Sequence, residues 1–501
     1  MMKNFVYEKY DGLGLAELIK RKEVTKLEVL EAAIEKIEQL NPKLNAVIHK
    51  MYDQAKNEAQ VNTSAEGIFA GVPMLLKDIT QEIAGEPITS GSKAFQNYKA
   101  KQDATYTKLL RQTGAIFIGQ TNVPEFALMG ITEPLQYGPT RNPWNTDHTP
   151  GGSSGGSASA VASGMVPIAG ANDGGGSIRI PGAYCNLFGL KPTRGRTPTG
   201  PTFGRHWQGA SADHVLTRTV RDSAAMLDVL SYHEKGAAFL APPFTGSYLQ
   251  AMYEPIKRPL TIAFSTQSPL GTTVDDECKT AVIKAMQLLE DMGHHVEEIT
   301  APVNGETIAK SYLTMYFGEV AATIASLENT LGRKVKMSDV EPTTWLLGLI
   351  GKSISAQEFV LHLREWDKAA FSMEKFHEKY DLYVTPTTAF PPARIGEMKL
   401  SRTEDFLVKL VGRLNAGKLL KQTGVVQNIA EKNLERTPFT QLANLTGQPA
   451  MTVPMHFTKE GLPCGVQFMA AKGQEKLLFQ LASTMEEHSK KANGDGPRLP
   501  V

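Results

Sequence analysis

The sequence predicts an α/β protein in which helices pack around a mixed, largely buried β-sheet. Short apolar runs bounded by turn residues occur at 115–118, 260–264 and 382–384, as buried strands require. They alternate with longer amphipathic segments such as 276–292. The chain has no repeat of fixed period and no obvious linker, so we expect a single domain over residues 1–501.

The composition excludes several classes of protein. The 501 residues include 53 Lys and Arg against 52 Asp and Glu, a formal net charge of +1. A nucleic-acid coat or a polybasic membrane binder needs a marked basic excess. Hydrophobic residues at 41% exclude disorder as the main state. The near-neutral charge therefore predicts no nucleic-acid partner. No apolar run approaches the roughly 18 to 20 residues of a membrane span, so we predict no transmembrane segment.

Cysteine usage indicates the compartment. Cys185, Cys278 and Cys464 are odd in number and lack C-x-x-C spacing, which indicates neither a disulfide framework nor a zinc ribbon. Residues 1–14 lack the apolar run of a signal peptide. We therefore expect a cytoplasmic protein without metal or cofactor, either a monomer or a homodimer.

The first clear helix follows Thr25. Thr25 and Glu28 form a capping box, and apolar residues then recur at helical spacing. We expect this helix to end before Pro42, because proline interrupts helical hydrogen bonding.

Two segments are helical by periodicity and are interpreted as insertions, at about 301–375 and 401–435. The second interleaves apolar residues with lysine and arginine. It is compatible with a basic amphipathic helix on a membrane surface, but a cap helix over a binding cleft or a core-facing helix is the favoured interpretation.

Glycine and serine concentrate between Thr149 and Gly182, where a flexible linker is the simplest interpretation. Embedded Val, Ile and Met residues argue that this segment is packed, with a helix-like stretch at 157–163. A phosphate-binding loop would need a following Lys that is absent. The run Gly151–Gly155 matches the G-x-S-x-G elbow of α/β hydrolases, but a polar loop precedes it where the elbow needs a strand.

A third interpretation uses Ser177 as a nucleophile. It follows Asp173 and three glycines, whose backbone N–H groups can turn toward one point beside the hydroxyl. A serine nucleophile needs a base, and no histidine is an obvious partner. Lys77, at the end of the apolar run 71–77, can serve if burial depresses its pKa. The alternative is an ordinary solvated charge at a strand end.

At these residues the chain resembles the amidase signature hydrolases. Three hallmark motifs stand in order: Val-Pro-x-x-x-Lys-Asp at 72–78, Pro-Gly-Gly-Ser-Ser-Gly-Gly-Ser at 150–157, and Asp-x-Gly-Gly-Ser-Ile-Arg at 173–179. Ser153 precedes Ser177 by 24 positions, which is also the family's spacing. Further similar segments extend the likeness over nearly the whole chain, at 122–126, 142–144, 189–193, 385–387, 444–450 and 465–468.

The resemblance implies a central mixed sheet covered by helices on both faces, a small-molecule amide substrate and a Ser-cisSer-Lys triad. By position, Ser177 attacks the amide carbonyl and neutral Lys77 is the final base. Ser153, which follows a cis peptide bond in this family, relays the proton of Ser177 to Lys77. Backbone N–H groups hold the oxyanion, and three side chains support the site. The oxyanion donors are Gly174, Gly175, Gly176 and Ser177; the supporting residues are Ser154, Asp173 and Arg179.

Residue 180 separates two branches of the family. The glutaminase subunit of the tRNA-dependent glutamine amidotransferase typically has Gln after the motif's Arg, whereas this chain has Ile180. The sequence 172–180 resembles stand-alone amidases, including those similar to 6-aminohexanoate-cyclic-dimer hydrolase. The glutaminase subunit is the alternative. A catalytically silent binding protein is disfavoured because all three triad positions are intact.

The sequence also suggests an uncharged, apolar or aromatic substrate. The residues expected to line the acyl pocket are Met129, Gly130, Tyr137, Tyr312, Tyr316 and Trp345. Cys185, eight residues after Ser177, is either a nucleophile or a buried packing residue, and the family pattern favours packing.

Overall fold

A computed structural model describes residues 5–61, 66–399 and 434–493, and an 11-stranded mixed sheet spans these residues. Its strand order is β1-β3-β2-β4-β6-β5-β10-β11-β9-β7-β8. The strands are β1 Val47–Lys50, β2 Pro73–Lys77, β3 Ile116–Thr121, β4 Ile168–Asp173, β5 Phe188–Lys191, β6 Ala212–Thr217, β7 Thr261–Phe264, β8 His295–Glu298, β9 Leu382–Pro386, β10 Ala450–Phe457 and β11 Pro463–Ala470.

Helices pack against this sheet, and the predicted α/β class is confirmed. The helices of the described residues are α1 Gly12–Lys20, α2 Lys26–Leu44, α3 Tyr52–Val61, α4 Thr105–Gln112, α5 Gly155–Ala162, α6 Arg179–Tyr184, α7 Val220–Leu230, α8 Tyr248–Ala251, α9 Asp276–Asp291, α10 Gly305–Leu331, α11 Pro342–Gly351, α12 Ala356–Phe376, α13 Gln441–Thr446 and α14 Glu475–Asn493. Within the described part of the chain, none of them is long and apolar enough to cross a membrane.

Parallel strands position the candidate site. β2 lies between β3 and β4 and runs parallel to both. Every residue of the three strands is buried, as the apolar runs predicted for β2 and β3. The carboxyl ends of neighbouring parallel strands meet at one edge of a sheet, where α/β proteins place their ligand sites. Lys77 ends β2 at that edge, and the glycine run 174–176 follows β4 there.

The helix predicted after Thr25 is present, but its predicted end is wrong. The capping box of Thr25 and Glu28 forms as expected, yet α2 continues through Pro42 to Leu44. Pro42 lies in the last turn, so it removes only one hydrogen bond of the helical ladder. The helix ends at Asn45, which adopts a left-handed conformation (φ 50°) and donates its N–H to the carbonyl of Asn41.

The segment 301–375 is helical, as its periodicity predicted, and comprises α10, α11 and most of α12. The second predicted insertion, 401–435, lies outside the described residues except for its last two positions. Whether it is a cap helix or a surface-binding helix stays a prediction.

Candidate active site

Lys77 is the last residue of β2 and is fully buried. Its Nζ donates a hydrogen bond to the Oγ of Ser153 at 2.8 Å and another to the carbonyl oxygen of Asn172 at 3.3 Å. Burial penalises the ammonium form and lowers the pKa of Lys77 to about 7, although the carboxylates of Asp213 and Asp173 favour the charge. An amine with that pKa can accept a proton near neutral pH.

Ser153 lies on a loop built of small residues, and only 1% of it is exposed. The peptide bond between Gly152 and Ser153 is cis, as the family resemblance implies. A Cβ on Gly152 would lie 2.6 Å from the carbonyl oxygen of Ile131, so a larger residue does not fit there. No strand leads directly into this loop, since β3 ends at Thr121, and α5 begins only at Gly155. The arrangement therefore differs from the strand-to-helix elbow of α/β hydrolases.

Ser177 follows β4 and is only partly buried. Its hydroxyl has no hydrogen-bond partner among the described residues, and both Ser177 and Ser153 line one large cavity. The N–H of Ser154 donates to the carbonyl oxygen of Ser177 at 3.3 Å, which ties the two serine loops together. Lys77 does not line the cavity. The lysine therefore reaches the cavity only through the Ser153 hydroxyl.

The glycine run 174–176 presents fewer free donors than the sequence predicted. The N–H groups of Gly174, Gly175 and Ser177 have no acceptor among the described residues. The N–H of Gly176 instead donates to Oδ1 of Asp173 at 2.7 Å, so its assignment to the oxyanion is wrong. The carbonyl of the same peptide unit, Gly175 O, accepts from Thr440 Oγ1 at 2.6 Å. This contact holds the peptide plane with its N–H turned away from the cavity.

Asp173 and Arg179 form a buried ion pair beneath this loop. Both side chains are fully buried, and two hydrogen bonds of 2.9 Å join the guanidinium to the carboxylate. Burial alone would raise the pKa of Asp173, but the Arg179 charge and a hydrogen bond from Asn444 hold it well below its usual value. Arg179 also donates to the side chain of Gln467 at 2.6 Å. The pair fixes the loop that carries Ser177.

Replacing Asp173 by asparagine should lower the free energy of unfolding by about 3–5 kcal/mol, because it leaves the Arg179 charge buried without its counterion. Urea denaturation measures the change. Asp276→Asn is the control, since Asp276 is 95% exposed and its pair with Lys279 should contribute less than about 1 kcal/mol. Equal effects of the two substitutions would contradict the role given to the buried pair.

Buried polar side chains support Lys77: Ser154, which the family resemblance implied, and Gln81 and Asp213, which no sequence motif indicated. Gln81 Oε1 accepts the Lys77 backbone N–H at 2.8 Å, and Gln81 Nε2 donates to the buried carboxylate of Asp213 at 3.3 Å. Burial raises the pKa of Asp213 to about 6. Ser154 Oγ donates to Asn172 O at 3.2 Å, the carbonyl that Lys77 also contacts. For the contacts of Gln81, the only signal in the sequence is its position four residues after Lys77.

The cavity above Ser177 has a volume of about 700 Å³. Of the residues expected in the acyl pocket, Met129, Gly130, Tyr312 and Tyr316 line this cavity. Tyr137 and Trp345 do not, so their assignment to the pocket is corrected. The Tyr137 hydroxyl donates instead to Thr89 Oγ1 at 3.2 Å. Trp345 packs in the hydrophobic clusters behind the wall, with the Lys352 ammonium 5.9 Å from its ring centroid.

Trp207 is a lining residue that the sequence patterns did not predict. Its ring lies 5.6 Å from that of Tyr316 in an edge-on arrangement, and it covers Gly174, where an added Cβ would lie 3.1 Å from the indole. Trp207 and Gln208 both have positive φ, at 51° and 53°. Consecutive non-glycine residues with positive φ are uncommon and concentrate at functional sites.

Cys185 is fully buried against the carbonyl of Pro150, and burial raises the pKa of its thiol. This environment favours packing over nucleophilic attack. Among the described residues, no group of three or more His, Cys, Asp or Glu side chains is placed to hold a metal ion.

Known proteins are similar to this chain in both sequence and fold. A family model described as Amidase matches residues 28–479. A 6-aminohexanoate-cyclic-dimer hydrolase of Pseudomonas sp. (strain NK87) is 36% identical over 483 residues, covering 95% of this chain and 94% of that protein. A lipoamidase of Enterococcus faecalis is 35% identical over 484 residues, covering 97% of this chain and 64% of that protein. The solved structure of 6-aminohexanoate cyclic dimer hydrolase matches with a TM-score of 0.88 and 34% identity over 99% of both chains.

Proposed function

Since the chain belongs to the amidase family and is an amide hydrolase, we propose that it works through an acyl-enzyme on Ser177, with Ser153 and Lys77 as its proton relay. The family resemblance found in the sequence is thus confirmed, whereas the roles of individual side chains are our inference. The observation that carries the proposal is the 2.8 Å contact between Lys77 and Ser153, with Ser177 beside them on the cavity wall.

Acylation begins when the Ser177 oxygen attacks the amide carbonyl carbon. The Ser177 proton passes to Ser153, whose own proton passes to the neutral amine of Lys77. The negative charge on the carbonyl oxygen is held by the N–H groups of Gly174, Gly175 and Ser177. The C–N bond then breaks, and the leaving nitrogen takes the proton back from Lys77 through Ser153. The products of this half-reaction are ammonia or an amine and an ester on Ser177.

Deacylation uses the same groups in the same order. A water molecule attacks the ester carbonyl, and its proton passes through Ser153 to Lys77. The tetrahedral intermediate collapses, the proton returns to the Ser177 oxygen, and a carboxylic acid leaves. The relay requires a hydrogen bond from Ser177 to Ser153, which the described residues do not form. Catalytic hydrogen bonds are often completed only when substrate is bound.

The fully buried position of Lys77 is the reason for a two-step relay. A lysine exposed in the cavity would remain protonated at neutral pH. Burial behind Ser153 keeps its pKa about 7 and keeps its nitrogen out of direct contact with substrate. Ser153 therefore transmits the proton between a solvent-facing nucleophile and a desolvated base.

We infer a stand-alone amidase rather than a glutaminase subunit. The side chains packed on the glycine run beside Ser177 are Ile180, Trp207, Tyr312 and Thr440, and none of them carries a charge. Burial raises the pKa of Tyr312, which keeps its phenol neutral. Such surroundings suit an uncharged acyl group better than the charged α-amino acid head of glutamine.

The purified protein should hydrolyse neutral amides without ATP, metal or tRNA. The test is a panel of aliphatic, aryl and cyclic amides plus L-glutamine, with released ammonia or amine as the readout. Ser177→Ala is the negative control, since it removes the nucleophile. Inactivity toward every neutral amide, together with glutamine hydrolysis that requires the other proteins of an amidotransferase complex, would favour the glutaminase alternative.

The cytoplasmic location remains an inference. All three cysteines are buried and none of them forms a disulfide bond, which fits a reducing compartment. The oligomeric state stays a prediction.

A further inference from the structure

One face of helix α10 lines the cavity over most of the length of the helix. The lining residues recur at helical spacing from Tyr312 to Thr330. At 1.5 Å of rise per residue, these 18 steps span roughly 27 Å. In order along the helix, they are Tyr312, Leu313, Tyr316, Glu319, Ala322, Thr323, Ser326 and Thr330.

The two ends of this face differ. Tyr312 packs against the loop of Ser177, since a Cβ on Gly175 would collide with its hydroxyl. Tyr312 and Tyr316 are buried, whereas Ser326 and Thr330 are exposed. The cavity is thus closed at the nucleophile and becomes an open groove toward the carboxyl end of α10.

The lining contributed by the rest of the chain has an apolar part together with polar residues, of which Lys101 and Arg205 are exposed and Glu82 is partly buried. Phe95, Phe126, Leu128 and Met129 belong to the apolar part, and the rings of Phe95 and Phe126 pack edge to face at 6.1 Å. The carboxylate of Glu319 on the α10 side accepts a hydrogen bond from the Gln208 amide at 2.8 Å. Burial raises the pKa of Glu319, which weakens it as a partner for a cationic group.

We propose that this groove binds a long, flexible and mainly apolar arm of the amide substrate, extending from the scissile carbonyl at Ser177 along α10 toward Thr330. The proposal rests on the proposed function, because it places the reacting carbonyl at Ser177. A groove of roughly 27 Å matches about eight residues of fully extended chain. A small amide would fill only the closed end and leave the apolar walls in contact with water.

The expected signature is a rise in kcat/KM with the length of the arm. Each methylene removed from water should raise kcat/KM by roughly two- to fourfold for as long as the arm lies against the groove lining. One series of p-nitroanilides, from acetyl to palmitoyl, lengthens the acyl side. A second series lengthens the amine side of a fixed acyl group. The series that shows the rise identifies which side of the amide occupies the groove.

Tryptophan substitutions on α10 should act as a ruler. Thr323→Trp should lower kcat/KM by at least tenfold for long arms, and by much less for the acetyl compound, which is too short to reach position 323. Ser326→Trp should tolerate longer arms than Thr323→Trp does, because its position is three residues, roughly 4.5 Å, further along the helix. Glu328→Trp is the control, since Glu328 is exposed on α10 but lies outside the groove lining.

The possible failures can be told apart. If no compound of either series is hydrolysed and a fluorophosphonate does not label Ser177, the proposed function itself fails. If the acetyl compound is hydrolysed but neither series shows a rise with length, the groove proposal is overturned and the proposed function stands. Equal effects of Thr323→Trp and Glu328→Trp on the long compounds would also overturn it, because only one of the two changes obstructs the groove.

Discussion

Replacing Ser177 by alanine should reduce kcat for a neutral anilide by roughly 10⁴- to 10⁶-fold, as expected when the nucleophile of a serine hydrolase is removed. The fold should be unaffected, because the Ser177 hydroxyl has no hydrogen-bond partner among the described residues and faces the cavity. Steady-state kinetics measure the loss, and thermal unfolding checks the fold.

Ser163→Ala is the matched control for this substitution. Ser163 is also partly buried, but its hydroxyl bonds back to the carbonyl of Ser159 at the end of α5, away from the cavity lining. We expect wild-type kcat in that variant. If Ser177→Ala kept more than a small fraction of its activity while Ser153→Ala lost all of it, Ser153 would be the nucleophile.

Replacing Lys77 by alanine should lower kcat by roughly 10²- to 10⁴-fold, since the relay loses its base. The wild-type enzyme should also show an acid limb in its pH–rate profile. Only the neutral amine can accept a proton, so the rate should fall as pH drops through about 7, the pKa that burial gives Lys77. Above that pH the rate should reach a plateau.

Two further variants assign the acid limb to Lys77. Burial lowers the pKa of Lys191 to about 7 as well, but its Nζ donates to the Pro192 carbonyl at 2.7 Å, away from the serines. Lys191→Met should therefore keep the limb. Asp213→Asn should move the limb to lower pH, because the Asp213 carboxylate favours the charged form of Lys77. An unchanged limb in Asp213→Asn, or its loss in Lys191→Met, would contradict the assignment.

Features that depend on short stretches of sequence were predicted well. The apolar run before Lys77 predicted a buried strand with the lysine at its end, because strands that are buried on both faces of a sheet consist of nearly continuous apolar residues. Tyr312 and Tyr316 both line the cavity because they lie four residues apart and so share one face of α10.

Features that depend on distant parts of the chain were not predicted. The N–H of Gly176 points away from the oxyanion site because of the orientation of one peptide plane. That orientation is fixed by the hydrogen bond from Thr440 to the carbonyl of Gly175, two residues that are 265 positions apart in the sequence. Trp207 lines the cavity from a backbone with positive φ, a conformation that no side-chain pattern reveals. Trp345 is aromatic like its neighbours in the predicted set, but its position on α11 places it behind the wall.

The most direct test of the proposed mechanism is to locate the serine that a fluorophosphonate modifies. No lysine or arginine lies between Ser153 and Ser177, so trypsin leaves both on the peptide 142–179. Tandem mass spectrometry must therefore place the added mass among the fragment ions. We predict that the phosphonyl group is on Ser177 and that Lys77→Ala slows its addition. A label on Ser153, with Ser177 unmodified, would contradict the mechanism.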